Sequence, residues 1–429
     1  MFKNHIQKKL EKYVQKYFQK HPEVKLVAVA GSVGKTSTKI AVATVLSYRY
    51  RVRMHDGNHN TSMSAPLAIL GIEYPENIRS FWAWQRVFRQ ARQRIRRTTD
   101  VDVVIQELGS DRPGDLAVFA RYLRPDIGVV TGVTPEHMEF FGSIEAVAQE
   151  ELSLANFSKT ALINKDDTDG RFADFLTNPS MDTYGTSGSA EYHIEISDFT
   201  VDDGYSGQIF APEFPESIPA KIKVVGEHSL RPAMAAVAVA ANLGMLPKDI
   251  ADALATYRAV PGRMNILRGL QNSIIIDDTY NSSPAAAKAA LRAIYSIEAP
   301  QHIVILGSMN ELGATSEQAH RTLGELCDPD ILSWVITIGE EAEKYTAPVA
   351  RQRGCQVKSF HSAIDAGAFA HSVLDDGALV LVKGSQGSIF AEEAVKVLLH
   401  DTDDYHKLVR QSPAWTKTKQ DFFSKFADN

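Results

Sequence analysis

The chain has 429 residues, room for about three domains at roughly 150 residues each, and its net charge of −6 leaves no global basic field pointing to nucleic acid. Apolar residues at 44% and charged residues at 23% are ordinary for a folded chain, and the two cysteines, Cys327 and Cys355, build neither a disulfide framework nor a metal spacing. No apolar run reaches the length of a membrane span, and the N-terminal MFKNHIQKKLEKY lacks the apolar core of a signal peptide, so a cytoplasmic multi-domain enzyme is expected.

Phe2, Ile6, Leu10, Tyr13 and Tyr17 recur at helical spacing among Lys3, Lys8, Lys9, Lys12 and Lys16. That pattern predicts an amphipathic helix over residues 1–20, within an N-terminal segment 1–24. Residues 25–30 (KLVAVA) are a short apolar run, followed by Gly31-Ser32-Val33-Gly34-Lys35-Thr36-Ser37 and a helical stretch to about 46. Strand, glycine loop and helix in that order are the setting of a phosphate-binding loop. Loop amides and the helix N-terminus would receive phosphate oxygens, Lys35 would supply a point charge, and the Thr36 hydroxyl would ligate Mg²⁺. The first glycine of the usual spacing is replaced by Val29.

Residues 79–97 hold seven arginines, with Phe81, Trp84, Phe88, Ala91 and Ile95 on one helical face. This reads as a helix packed by its apolar side with a solvated basic face, or as one that holds a substrate pyrophosphate or lies on an anionic membrane surface. Further apolar runs at 101–106, 127–131 and 161–164 read as buried strands, the first ending at Glu107. Strands alternating with helices predict an α/β fold with a mostly parallel sheet whose carboxyl ends bind ligands. A carboxylate at such an end suits an outer ligand of a nucleotide's Mg²⁺, and His137 in a nearby loop is a further candidate. Residues 188–225 alternate with turn residues between, predicting a small antiparallel insert. Pro261-Gly262 reads as a hinge. Beyond it, strands near 273–276, 303–306, 334–338 and 378–382 predict a second, Rossmann-like α/β domain to about 410, then a polar tail. The domains expected are therefore 1–24, 25–262 and 263–429.

The motifs, taken together and in order, resemble the Mur ligase family of ATP-dependent amide-bond ligases, most nearly its MurF branch. They are the shortened loop AGSVGKTSTK, Gly57-Asn58-His59-Asn60-Thr61 ahead of Ala65-Pro66-Leu67, ELGS at Glu107 and EHMEFFGS from Glu136. Asn164-Lys165-Asp166-Asp167, GEHS at Gly226, VPGRM at Val260, DDTYNSSP at Asp277, LGSMNELG at Leu306 and LVKGSQGS at Leu381 complete the series. The resemblance implies that ATP phosphorylates a substrate carboxylate and that an amine then displaces phosphate, in cell-wall peptidoglycan synthesis. D-alanyl-D-alanine added to a UDP-muramoyl peptide is the implied reaction. Alternatives are a folate-polyglutamate, cyanophycin or capsule type of substrate, or a P-loop ATPase module without ligase activity.

The resemblance also implies site roles. Gly31, Ser32, Val33, Gly34, Lys35, Thr36 and Ser37 would bind phosphates, and Thr36 with Glu107 one Mg²⁺. His137 would serve a second Mg²⁺. Arg263 and Asp278 would touch phosphates and ribose, Asn281 the nucleoside, and domain closure would assemble the site. Asn60, Thr61, Lys383 and Ser385 would face substrate. The family's carbamylated lysine falls on Glu151 here, a carboxylate expected to replace the carbamate at the second Mg²⁺. His228-Ser229, Pro232 and Gln386 stand where the family's pattern has other residues. Expected partners are a small-molecule or UDP-linked peptide and an amino-acid or dipeptide donor, with no nucleic acid and no transmembrane segment, in a monomer or a dimer. The usual UDP-sugar-binding domain has no counterpart in the thirty residues before Gly31.

Overall fold

The computed structural model describes residues 2–57 and 59–426; Met1, the side chain of Phe2, Asn58 of the asparagine-rich motif and residues 427–429 lie outside the description. The chain forms two compact units. One comprises Met1–Thr134, Phe140–Ile222 and Leu230–Tyr257; the other comprises Pro135–Glu139, Lys223–Ser229 and Arg258–Asn429.

The first unit is built on a six-stranded, wholly parallel sheet: β1 (Lys25–Ala30), β2 (Val52–Met54), β3 (Val103–Glu107), β4 (Ile127–Val130), β5 (Thr160–Asn164) and β6 (Met181–Tyr184). β3 and β4 are buried along their whole length and β1 all but its first residue, which is why they read as unbroken apolar runs. The strand order is β2-β3-β1-β4-β5-β6, so the chain steps over β1 between β3 and β4. That reversal makes the carboxyl end of β1 the crevice of the sheet, flanked by Glu107 and by the end of β4. The insert is a separate antiparallel sheet of β7 (His193–Thr200), β8 (Gly204–Phe210) and β9 (Ile218–Ile222).

The helix α1 (Phe2–Lys20) buries Ile6, Leu10, Val14 and Tyr17. The helices α2 (Lys35–Leu46) and α3 (Ala65–Leu70) follow, then α4 (Phe81–Arg96), which packs against α1. Trp84, Val87, Phe88 and Ala91 form the buried side of α4. Phe81, expected on that side, is 55% exposed, and Val87 takes its place. The Trp84 indole donates to the Ile78 carbonyl at 2.8 Å, and Lys9 lies 4.0 Å over the Phe88 ring, sealing the seam between the helices.

The second unit has a six-stranded sheet in the order β10-β11-β15-β12-β13-β14, from β10 (Asn265–Arg268), β11 (Ile274–Asp278), β12 (His302–Gly307), β13 (Leu332–Ile338), β14 (Val357–Phe360) and β15 (Leu379–Lys383). Only β10, an edge strand, pairs antiparallel. Ile275, Ile303, Ile305, Ile336, Val380 and Val382 meet Ala363, Ala366, Ala370 and Ala394, small residues that let helices approach the sheet closely. The reversal here falls at the carboxyl ends of β11, β15 and β12, which present Asp278, Lys383 and Gly307.

The segment beyond 410, expected as a polar tail, folds instead into a helix, Pro413–Phe423. Phe422 and Phe423 bring their rings 5.1 and 6.1 Å from Phe390, and Lys419 is 3% exposed beside Glu392 and Glu393. The aromatic pair supplies the apolar surface that the lysine-rich composition obscured. No helix of the described residues is long and apolar enough to cross a membrane.

Candidate active site

β1 runs into Gly31 with a φ of 131°, and a Cβ there would stand 2.2 Å from the Thr131 hydroxyl, so the close approach of β4 admits only glycine. Thr131 donates its hydroxyl to the Ala30 and Val33 carbonyls, fixing the loop's two ends. Gly34, at φ 81°, turns the chain into α2. The first helical bond there is from Thr38 N–H to the Gly34 carbonyl, so the amides of Thr36 and Ser37 precede the ladder and carry the positive end of the helix dipole. Lys35 Nζ donates to the Gly31 and Ser32 carbonyls at 2.6 and 3.2 Å, which holds its charge over the loop.

Glu107 is 4% exposed at the end of β3. The Thr36 hydroxyl donates to its Oε2 at 3.1 Å and Asn60 Nδ2 to its Oε1 at 3.1 Å. Lys39 Nζ lies 3.5 Å from Oε2 and also donates to the His55 and Gly57 carbonyls. Lys39 was not singled out in the sequence, because a lysine one turn into a helix reads as solvent-facing; its 3% exposure says otherwise. Gln106, also unremarked, donates to the His59 carbonyl at 2.8 Å and so ties the asparagine-rich loop to the end of β3. Thr61, one residue beyond Asn60, exchanges hydrogen bonds with Ser64 at the start of α3.

Glu151, on the helix Ile144–Phe157, is 2% exposed. Its Oε2 accepts the Gly31 amide at 2.8 Å and its Oε1 the Ser110 hydroxyl at 2.5 Å. The first unit therefore gathers Lys35, Thr36, Asn60, Glu107 and Glu151 around one loop. Ser32 keeps the loop in register by accepting the Thr134 amide on its hydroxyl. Among the described residues no three His, Cys, Asp or Glu side chains converge as a metal cage, and the Thr36 hydroxyl and Glu107 carboxylate are paired oxygens beside the loop.

His137 belongs to the second unit, in the left-handed region at φ 50°, with its Nδ1 3.0 Å from Glu311 Oε2. The second unit gathers the remaining expected positions. Asp278 accepts the Met264 amide on Oδ1 and pairs its Oδ2 with the buried Lys383 ammonium at 2.6 Å. Lys383 also donates to the Asn281 carbonyl, while Asn281 Oδ1 accepts the Gln386 amide. Ser385 donates to the Ser282 carbonyl and accepts the Asn310 amide. The Arg263 guanidinium lies 4.2 Å over the Tyr280 ring.

Two further charged groups shape this surface, Asp277 within the DDTYNSSP motif and Arg410 outside any motif. Asp277 is fully buried, takes the Gly262 amide and the Thr279 hydroxyl, and burial pushes its carboxyl up to about 6. Arg410 grips the buried Glu392 through Nε and Nη2 and donates to the Thr279 and Tyr280 carbonyls. No local motif marks an arginine that acts from so far along the chain.

Residues 29–240 match the model of the Mur ligase middle domain, and residues 262–386 that of the Mur ligase glutamate ligase domain. The UDP-N-acetylmuramoyl-tripeptide–D-alanyl-D-alanine ligase of Bacillus subtilis (strain 168) is 28% identical over 390 residues, 87% of this chain and 76% of that protein. The protein of the same name from Escherichia coli (strain K12) is 27% identical over 326 residues, 74% of this chain and 65% of its own. The structure of the MurF ligase from Thermotoga maritima in complex with ADP shares the fold, with a TM-score of 0.72 at 21% identity, over 91% of this chain and 83% of that one.

Proposed function

Because this chain belongs to the Mur ligase family of ATP-dependent ligases, we propose that it adds D-alanyl-D-alanine to a UDP-muramoyl peptide during peptidoglycan synthesis. The observation that carries the reading is Thr36 beside Glu107 at the mouth of the phosphate loop that leaves β1, the strand at which the sheet order reverses. A carboxylate is a poor electrophile until one oxygen becomes a leaving group. ATP supplies that by giving its γ-phosphoryl to the carboxylate oxygen and leaving as ADP. The amine then attacks the acyl carbon, the carbon–oxygen bond to phosphate breaks, and the amine loses a proton as the amide forms.

The side chains divide the work. Lys35 and the amides at the start of α2 hold negative phosphate oxygens, an electrostatic clamp made before the reaction begins. Thr36 and Glu107, hydrogen-bonded to each other at 3.1 Å, would hold Mg²⁺, a hard cation that takes oxygen donors. When bound, the ion would neutralise phosphate charge. Glu151 braces the loop through the Gly31 amide and the Ser110 hydroxyl, and its carboxylate is the candidate to stand in for the carbamate at a second Mg²⁺. Arg263, Asp278 and Asn281 are the second unit's candidates for the nucleotide, and Lys383 with Ser385 shape that surface rather than project from it.

The test is phosphate release with ATP, Mg²⁺, UDP-N-acetylmuramoyl-tripeptide and D-alanyl-D-alanine, followed by product mass. Release that requires both carboxylate and amine, with a product heavier than the acceptor by the dipeptide less water, is expected. ATP turnover indifferent to both would replace the ligase with a simple ATPase.

A further inference from the structure

Residues 79–97 carry seven arginines and no acidic residue, and α1 adds six lysines against one glutamate, in a chain whose net charge is −6. Folding accounts for the inner sides of these helices. It does not account for the outer side of α4, where Trp82, Arg86, Arg89, Gln93 and Arg96 recur at three- and four-residue steps and so lie in one stripe. Arg86, Arg89, Arg92 and Arg96 are exposed, and none of their guanidiniums makes an ion pair or hydrogen bond among the described residues. Arg94, by contrast, turns back to Asp100 at 2.7 Å. Trp82 is 79% exposed, and Ile78 and Phe81, at 53% and 55%, sit beside it at the start of the helix. An indole so exposed adds almost nothing to folding by burial.

We propose that this face of α4, flanked by the lysines of α1, docks on an anionic lipid bilayer. The arginines would meet headgroup phosphates, and Trp82 with Phe81 and Ile78 would seat in the interfacial layer, where tryptophan is favoured. Shape excludes a single diphosphate as the intended ligand. The stripe from Trp82 to Arg96 runs about 21 Å along a convex helix, far longer than one diphosphate. An extended plane of anions matches both the length and the curvature. The apolar cluster at one end distinguishes a lipid interface from a nucleic-acid backbone, which would use the charges and leave those side chains in water.

The experiment is co-sedimentation of the full chain with phosphatidylcholine vesicles, with and without phosphatidylglycerol. Binding only to the anionic vesicles, reversed by salt, is expected. The triple variant Arg86→Glu, Arg89→Glu, Arg96→Glu should bind at least ~tenfold more weakly, with its thermal midpoint unchanged, because these side chains hold nothing else. Trp82→Phe should abolish the blue shift of tryptophan emission on vesicle addition. No pelleting with anionic vesicles, or pelleting unaltered in the triple variant, would overturn the proposal. So would tighter retention on single-stranded DNA than on vesicles through the same arginines, or a loss of UDP-substrate affinity in the triple variant.

Discussion

The Glu151 carboxylate accepts the Gly31 amide at 2.8 Å across 120 residues of sequence, and its other oxygen takes the Ser110 hydroxyl. The first turn of the phosphate loop is thus anchored by a buried side chain from a different helix. Glu151→Ala would strand the Gly31 N–H away from water, a loss of about 1–3 kcal/mol, and would let the loop relax. Glu151→Gln keeps an acceptor for Gly31 and should stay near the parent. Urea unfolding with calorimetric titration of ADP reads both effects. A Glu151→Lys variant active only with added bicarbonate would instead place this position at a metal.

Glu107 meets three groups, the Thr36 hydroxyl, the Asn60 side-chain amide and the buried Lys39 ammonium. Thr36→Val should therefore lower turnover with little change in stability. Glu107→Gln should lower both, because Lys39 would be left buried beside two carbonyls; breaking such pairs costs about 3–5 kcal/mol. Removing both charges in Glu107→Gln, Lys39→Met should recover most of the stability and none of the turnover. Recovery of turnover in the double variant would show that the carboxylate matters to the fold alone.

Legibility in the sequence followed burial. The runs at 25–30, 101–106, 127–131 and 161–164 declared themselves because central parallel strands are apolar on both faces. The edge strands β2, β6 and β14 are three or four residues long and only partly buried, so VRM, MDTY and VKSF carry no strand pattern. The same holds for chemistry. Lys35 and Thr36 stand in a contiguous motif, and Glu107 ends a readable strand. Lys39 and Asp277 lie inside quoted motifs, but their burial and partners exist only once the chain is folded, and Arg410, outside any motif, looks like any solvated charge.

Arg410 is the clearest of these. It binds Glu392, which has no exposure, and donates to the Thr279 and Tyr280 carbonyls at 2.6 and 3.1 Å. Tyr280 in turn lies under the Arg263 guanidinium. Arg410→Ala should destabilise the chain by about 3–5 kcal/mol, since among the described residues Glu392 would retain only the Lys419 ammonium at 3.5 Å. Arg410→Lys keeps the charge and loses the fork, so it should fold and yet raise the KM for ATP by loosening the Tyr280 segment. Unchanged kinetics in a folded Arg410→Lys would confine the residue to a structural role.

Asp277 gives the fold a pH dependence of defined sign. Burial raises its carboxyl from 3.8 to about 6, against the opposing pull of the Thr279 hydroxyl and the Gly262 and Thr279 amides. Between those values the folded protein holds a proton that the unfolded chain has released. Stability from this group is therefore fully present below about pH 4, falls as pH rises, and is gone above about pH 6, where both states are ionised. The span corresponds to about 3 kcal/mol at about 1.4 kcal/mol per unit. Asp277→Asn keeps an acceptor oxygen and cannot titrate. Urea unfolding of both proteins should give a parent-minus-variant difference that declines between pH 4 and 6 and then levels, with the carboxylates common to both proteins cancelling out. A difference that is flat or rises over that window would mean that the hydrogen bonds to Asp277 outweigh its burial and keep it charged.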